Sequence, residues 1–280
     1  MAISLSWAGG EDPPPARLSP VSRGRISRDP LTLSPAIEAA LWRGDAMGSP
    51  VTTTLSSGFA TLDAQLPGGG WPCQSLTEVL QLQPTALEWR LCAPSMRALV
   101  AQGKQIVLVG PPKAPHLPGL LHLGLDEHQL VWIQADKPLE RLWAIEQLIK
   151  ANAVGMLLGW LPHARQEQIR RLQVCAQSCD GPVILFRPAA AEHEASAAPL
   201  RLQARFSLDW ELCIHLLKRK GPPHEGELRL PSIPGGLEDI LTPRLTRPSH
   251  LIAASHSRKL SHAVGSTSSG QASGRPAAAH

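Results

Sequence analysis

Leu76-Thr-Glu-Val-Leu80, running into Gln81-Leu-Gln-Pro-Thr-Ala-Leu87, is the stretch on which the fold turns. Ser75–Leu80 reads as a short strand. Thr85 to Gln102 reads as the helix after it, with Leu91, Leu99 and Val100 among its buried positions and Pro94 placed to bend it. Downstream, Gln105-Ile-Val-Leu-Val-Gly110 is an apolar, β-branched run closed by Gly110-Pro111-Pro112, which reads as a buried strand ending in a loop. Leu130-Val-Trp-Ile-Gln134, Val154–Leu161 and Pro182-Val-Ile-Leu-Phe186 repeat the pattern. Helices over about Lys137–Asn152 and Ala164–Ser178 separate them. Nearly continuous apolar strands alternating with helices indicate a mostly parallel sheet covered on both faces, an α/β fold. After Pro199 the pattern changes to Leu200–Leu208, Trp210–Lys218 and Glu227–Leu230, joined by short turns. These strands are expected to form an antiparallel extension at one edge.

The turn between the first strand and its helix carries the chemical question. A phosphate-binding loop there has the form G-x-x-x-x-G-K-[ST]. Its glycines let backbone N–H groups surround the phosphates, its Lys reaches the terminal phosphates, and its Ser or Thr holds magnesium. Gln81–Leu87 has neither Gly nor Lys. Thr85-Ala-Leu-Glu88 instead reads as a capping box, with Thr85 capping the helix and Glu88 folding back to its first amides. A carboxylate at that helix end repels an incoming triphosphate. The strand Val154–Leu161 ends in Trp160 and Pro162, with no acid to help hold magnesium. Gly68-Gly-Gly70 precedes the first strand rather than following it and reads as a tight turn. No catalytic, cofactor-binding or metal-ligating residue is therefore assigned, and no cofactor is expected.

The rest of the chain sets the boundaries. Residues 1–33 are rich in Pro, Ser and Arg and are expected to be disordered. Ser34–Arg43 reads as a short helix and Gly44–Ser57 as a linker, so the α/β domain is placed at 58–231. From 232 to 280 a disordered basic tail is expected, because Leu241–His280 holds five basic and no acidic residues. Over 280 residues, 43% hydrophobic and 18% charged side chains with net charge +4 describe a globular protein compatible with nucleic-acid or acidic-protein partners. No apolar run reaches the roughly 18–20 residues of a membrane span, and the N-terminus has no secretory signal, so no membrane contact is expected. Five cysteines without framework spacing suit a reducing cytoplasm. Eight Trp, three Phe and no Tyr weaken any single-strand-binding scheme built on stacked tyrosines.

Cys175 and Cys179, four apart, read as buried thiols of one helix face rather than metal ligands. Lys218-Arg219-Lys220, before Gly221-Pro-Pro223, is the densest basic cluster of the domain. It reads either as a solvated hairpin end or as a contact surface for DNA or an acidic partner. Arg244, Arg247, Arg258 and Lys259 in the tail are candidates for further phosphate or partner contacts.

Leu41-Trp-Arg-Gly-Asp45, Ser57-Gly-Phe-Ala-Thr-Leu-Asp-Ala64, Leu66-Pro-Gly-Gly-Gly-Trp-Pro72, Leu76-Thr-Glu78 and Leu216-Leu-Lys-Arg-Lys-Gly-Pro-Pro223 together resemble ImuA, the RecA/SulA-like family associated with translesion DNA synthesis. The resemblance covers roughly Leu41 to Leu230. It implies a RecA-like core without a working nucleotide site and a non-catalytic, damage-inducible accessory role. The implied partners are an ImuB-like inactive Y-family polymerase and an error-prone polymerase alpha subunit, with RecA and DNA as further contacts. Asp136 stands near the place where RecA-type enzymes carry a water-activating Glu, but without a phosphate site it reads as the cap of the next helix. Two alternatives use the same residues: a SulA-like inhibitor of cell division, which also needs the fold without the ATPase, and an ATPase with an unorthodox loop.

Overall fold

The computed structural model describes residues 53–82, 84, 87–233, 237 and 239–250. The expected helix at 34–43 and the segments 1–52 and 251–280 lie outside the described residues.

The first strand of the α/β pattern, β3 (Leu76–Gln81), is buried along its whole length inside an eight-stranded sheet. The other strands of the apolar runs are β4 (Ile106–Val109), β5 (Leu130–Ile133), β6 (Met156–Trp160) and β7 (Val183–Pro188). They are followed by β8 (Leu200–Phe206), β9 (Glu211–Lys218) and β10 (Leu228–Pro231). Their order across the sheet is β10-β9-β8-β3-β7-β6-β4-β5. The pairs β3–β7, β7–β6, β6–β4 and β4–β5 are all parallel, as nearly continuous apolar strands predict. The extension after Pro199 departs from expectation in one respect. β8 joins β3 in parallel, Thr77 opposite Leu200, and only β8–β9 and β9–β10 are antiparallel. The alternation of Leu200, Leu202 and Ala204 shows which face β8 buries, not which way its neighbour runs.

Because side chains alternate along a strand, each strand serves two cores. On one face Ile106, Leu108, Leu158, Ile184 and Leu202 meet α2 (Leu87–Val100) through Leu91, Met96 and Leu99. On the other, Val107, Val109, Leu157, Val183 and Leu185 meet α4 (Pro138–Ala151) and α5 (Gln166–Ala176) through Ile145, Ile149, Ile169 and Leu172. A one-residue slip in any strand would exchange the two sets. α4 ends at Asn152 in the left-handed conformation, and the Asn152 amide clasps Asp180 through bonds of 2.7 and 2.8 Å.

Three short elements complete the frame. β1 (Thr54–Leu55) pairs with β2 (Trp71–Pro72) as a separate two-stranded sheet, and α1 (Ala60–Asp63) lies between them in sequence. The Gly58–Pro72 stretch docks on α2. The Asp63 carboxylate accepts from Ser57 N and Ser56 Oγ, the Trp71 indole donates to Ser95 Oγ, and Ser95 Oγ donates to Ser56 O. Gly58 has φ +82°, and a Cβ there would lie 2.2 Å from Pro94 Cβ, so only glycine permits this approach. Gly68 and Gly69 take positive φ in the tight turn expected of them.

The sequence pattern shows no element between Pro112 and Leu130, yet α3 (Leu117–His122) forms there, capped by His116 Nδ1 accepting from Gly119 N. Its six residues, with Pro118 and Gly119 among them and Leu120 the only buried one, are too few to register as a period. The tail also differs from expectation. Within 239–250, α6 (Pro243–Thr246) forms, Trp210 Nε1 donates to Leu245 O at 2.9 Å, and Ser249 donates through N and Oγ to Asp209.

Candidate functional site

In open α/β sheets, ligands sit outside the carboxyl ends of the strands. Here that crest is formed by Gln81 of β3, Gly110 after β4, Trp160 of β6 and Arg187 of β7. Glu88, in the first turn of α2 and 1% exposed, turns its carboxylate onto the sheet. It accepts from Gln81 Nε2 at 2.7 Å and Trp160 Nε1 at 3.1 Å. Thr85, its expected capping partner, lies outside the described residues. Trp160 stacks on Phe186 with centroids 5.0 Å apart. Burial and the neighbouring Glu88 carboxylate push the Cys92 thiol well above its ordinary range.

Arg141 of α4 covers the next section of the crest. Its Nε donates to Ala135 O at 2.6 Å and its guanidinium reaches Trp160 O at 3.5 Å. It lies directly over Gly110, where a Cβ would stand 2.6 Å from Arg141 Nε. Between Gln81, Arg141 and Phe186 lies a cavity of about 140 Å³ rimmed by Pro84, Pro112, Pro162 and Pro188, and more open hollows flank Arg141 and Arg187. Pockets for small molecules run roughly 300–1,000 Å³. Prolines also bring no N–H donor, where a phosphate cradle needs a row of them. The crest thus offers a buried carboxylate, a guanidinium bonded to backbone and four donor-free residues.

Asp136 is exposed and makes no hydrogen bond or ion pair among the described residues. The cap reading for it is corrected: the residue preceding α4 is Lys137, without a side-chain cap, and Pro138 sets the first turn. Cys175 and Cys179 do not share a helix face either, since α5 ends at Ala176. Cys179 is buried and Cys175 half-buried. Among the described residues no group of three or more His, Cys, Asp or Glu side chains is placed to hold a metal ion.

The basic candidates divide into separate places. At the end of β9, Lys218 is exposed and donates to Ser196 O at 2.9 Å. Arg219 turns inward, bonding Pro222 O and both the backbone and side-chain oxygens of Gln65, and so ties the hairpin end to the loop after α1. Lys220 is exposed beside it. Arg244 and Arg247, also exposed, lie on and just after α6, which is held to the β8–β9 turn at the other end of β9. Arg258 and Lys259 lie outside the described residues.

One cluster escaped the sequence reading. Glu78, fully buried in β3, bonds Arg187 of β7 at 3.0 Å and Arg201 of β8 at 2.8 Å. Arg187 continues to Ala164 O and Glu194, and Arg201 to Ala191 O. The charges bind three adjacent strands to the turn after β7. The signal was available: one acid inside a short strand flanked by Leu76, Val79 and Leu80 requires a partner if that strand is buried. No family model matches the chain, and no curated protein matches it.

Proposed function

We propose that the chain is a RecA-like, non-catalytic accessory factor of SOS-induced translesion DNA synthesis, working through protein contacts. Its partners on this reading are an ImuB-like inactive Y-family polymerase and an error-prone polymerase alpha subunit, with RecA and DNA as further contacts. The carrying observation is the crest, where Glu88 occupies the head of α2 and Arg141 lies over Gly110 beside four donor-free prolines. A mostly parallel sheet extended by an antiparallel ribbon supports the architecture that the sequence resemblance implies. No helix among the described residues is long and apolar enough to cross a membrane.

The test is co-purification of the full chain with an ImuB-like protein and with RecA, beside a version ending at His250. Association of the full chain with at least one partner is expected, weakened by loss of the segment that holds Arg258 and Lys259. Association with neither partner removes the proposal. Equal binding by both versions places the contact within the domain, where Lys218, Lys220, Arg244 and Arg247 become the residues to substitute.

A further inference from the structure

Away from the crest, α1, α2 and β10 line an open cavity of about 480 Å³, within the usual range for small-molecule pockets. Its wall is mixed. Phe59, Leu123 and Leu230 supply apolar surface, while Arg90, Arg97 and Ser232 supply polar groups.

Arg90 and Ser232 each hold a buried polar atom short of an acceptor. Ser232 is 8% exposed, and its Oγ is buried with no hydrogen-bond partner among the described residues. Arg90 is half-buried, its guanidinium 4.8 Å from the Phe206 ring centroid and 5.8 Å from that of Trp210, and its buried Nε has no partner among the described residues. Burial pulls its pKa down to about 10, and no carboxylate opposes that shift. Arg97 stands two turns further along the same side of α2 and makes no hydrogen bond or ion pair among the described residues.

The backbone fixes this arrangement. Trp210 O accepts from both Arg90 Nη2 at 3.1 Å and Ser232 N at 2.8 Å, so the two groups are held by one atom. Among the described residues no Asp or Glu lines the cavity. Of the acids in adjoining segments, Asp63 is engaged by Ser56 and Ser57 and Asp209 by Ser249, while Asp239 is exposed. A desolvated cation without a counter-charge, next to a buried hydroxyl without a partner, is unfavourable unless an anion completes it. Guanidinium groups match the flat fork of a carboxylate or the oxygens of a phosphate.

We propose that this cavity binds a small molecule carrying one oxyanion, a carboxylate or a phosphate monoester, on an apolar body. The oxyanion takes donors from Arg90 Nε, Arg97 and Ser232 Oγ, and the body rests on Phe59, Leu123 and Leu230. This assignment is independent of the accessory-factor reading, so failure of the co-purification experiment leaves it standing.

Calorimetric titration of the full chain with benzoate and with phenyl phosphate tests it, with neutral benzamide and inorganic phosphate as comparisons. Binding of at least one aromatic anion near 1 mM is expected, an affinity within reach of one charge-assisted contact and one ring. Preference between the two distinguishes a carboxylate ligand from a phosphate ligand. Arg97→Gln, at an exposed position, and Ser232→Ala are each expected to weaken that binding at least about fivefold while the melting temperature of the free protein stays the same. Absence of binding by both aromatic anions overturns the proposal, and so does unchanged affinity in Arg97→Gln. Benzamide binding as tightly as benzoate overturns the oxyanion, and inorganic phosphate matching phenyl phosphate overturns the apolar body.

Discussion

Glu78 is a carboxylate with no exposure, in the middle of the sheet, between two guanidinium groups from neighbouring strands. Desolvating three charges is costly, and their attraction offsets that cost only while all three remain. Glu78→Gln keeps the shape and removes the negative charge, leaving Arg187 and Arg201 buried side by side. A loss of about 3–5 kcal/mol is expected, read as a lower urea midpoint with unchanged slope. The triple replacement Glu78→Met with Arg187→Leu and Arg201→Leu removes the charges together and is expected to recover most of that loss. A Glu78→Gln protein that unfolds at the wild-type midpoint would show that the clamp contributes nothing.

Among the elements, α4 and α5 are joined through a second buried carboxylate. Glu146 of α4 is 3% exposed and receives Lys150 at 2.7 Å and Arg171 of α5 at 2.5 Å. The hydrogen bond from Lys150, then that from Arg171, holds its pKa below the ordinary carboxylate range. A carboxylate with a depressed folded-state pKa stabilises the protein above its unfolded value, about 4.3, and that contribution disappears as pH falls through the folded pKa. Glu146→Gln is therefore expected to melt below wild type at pH 7, by an amount that stays level down to about pH 5. Below about pH 4 the two curves should converge as the wild-type side chain protonates. Melting curves that remain parallel to pH 3 would remove Glu146 from the account of how the two helices are held.

For the whole molecule, what could be read from the chain and what could not divide along one physical line. Strands at 105–110, 154–161 and 182–186 were legible because burial on both faces leaves an apolar run, and 130–134 is as apolar although it lies half-exposed at the sheet edge. The order in which they lie side by side, and the parallel pairing of β8 with β3, depend on how the chain crosses the sheet, which periodicity does not encode. The same holds for the crest. The missing glycines and lysine of 81–87 could be read directly, whereas Arg141 over Gly110 and Trp160 on Glu88 join residues 31 and 72 positions apart. Gly159 lies between. A glycine inside an apolar run marks close approach, and a Cβ there would meet Ile145 of α4 at 2.6 Å, but the run alone does not say which helix approaches. The two edges of the sheet carry the last consequence. An open edge offers unpaired backbone groups to other chains, and charge or proline blunts it. β10 presents exposed Arg229 and ends in Pro231. β5 is Leu-Val-Trp-Ile, with neither charge nor proline; Trp132 is 45% exposed, and Leu139 and Trp143 of α4 are exposed at 71% and 64%. Self-association on heating should therefore start at β5. Trp132→Lys is expected to slow heat-induced aggregation severalfold, measured by light scattering, with little change in melting temperature, because the ring is half in water already. Arg229→Val is expected to do the reverse by unblocking β10. An unchanged aggregation rate in Trp132→Lys, with a faster one in Arg229→Val, would place the vulnerable edge at the antiparallel end instead.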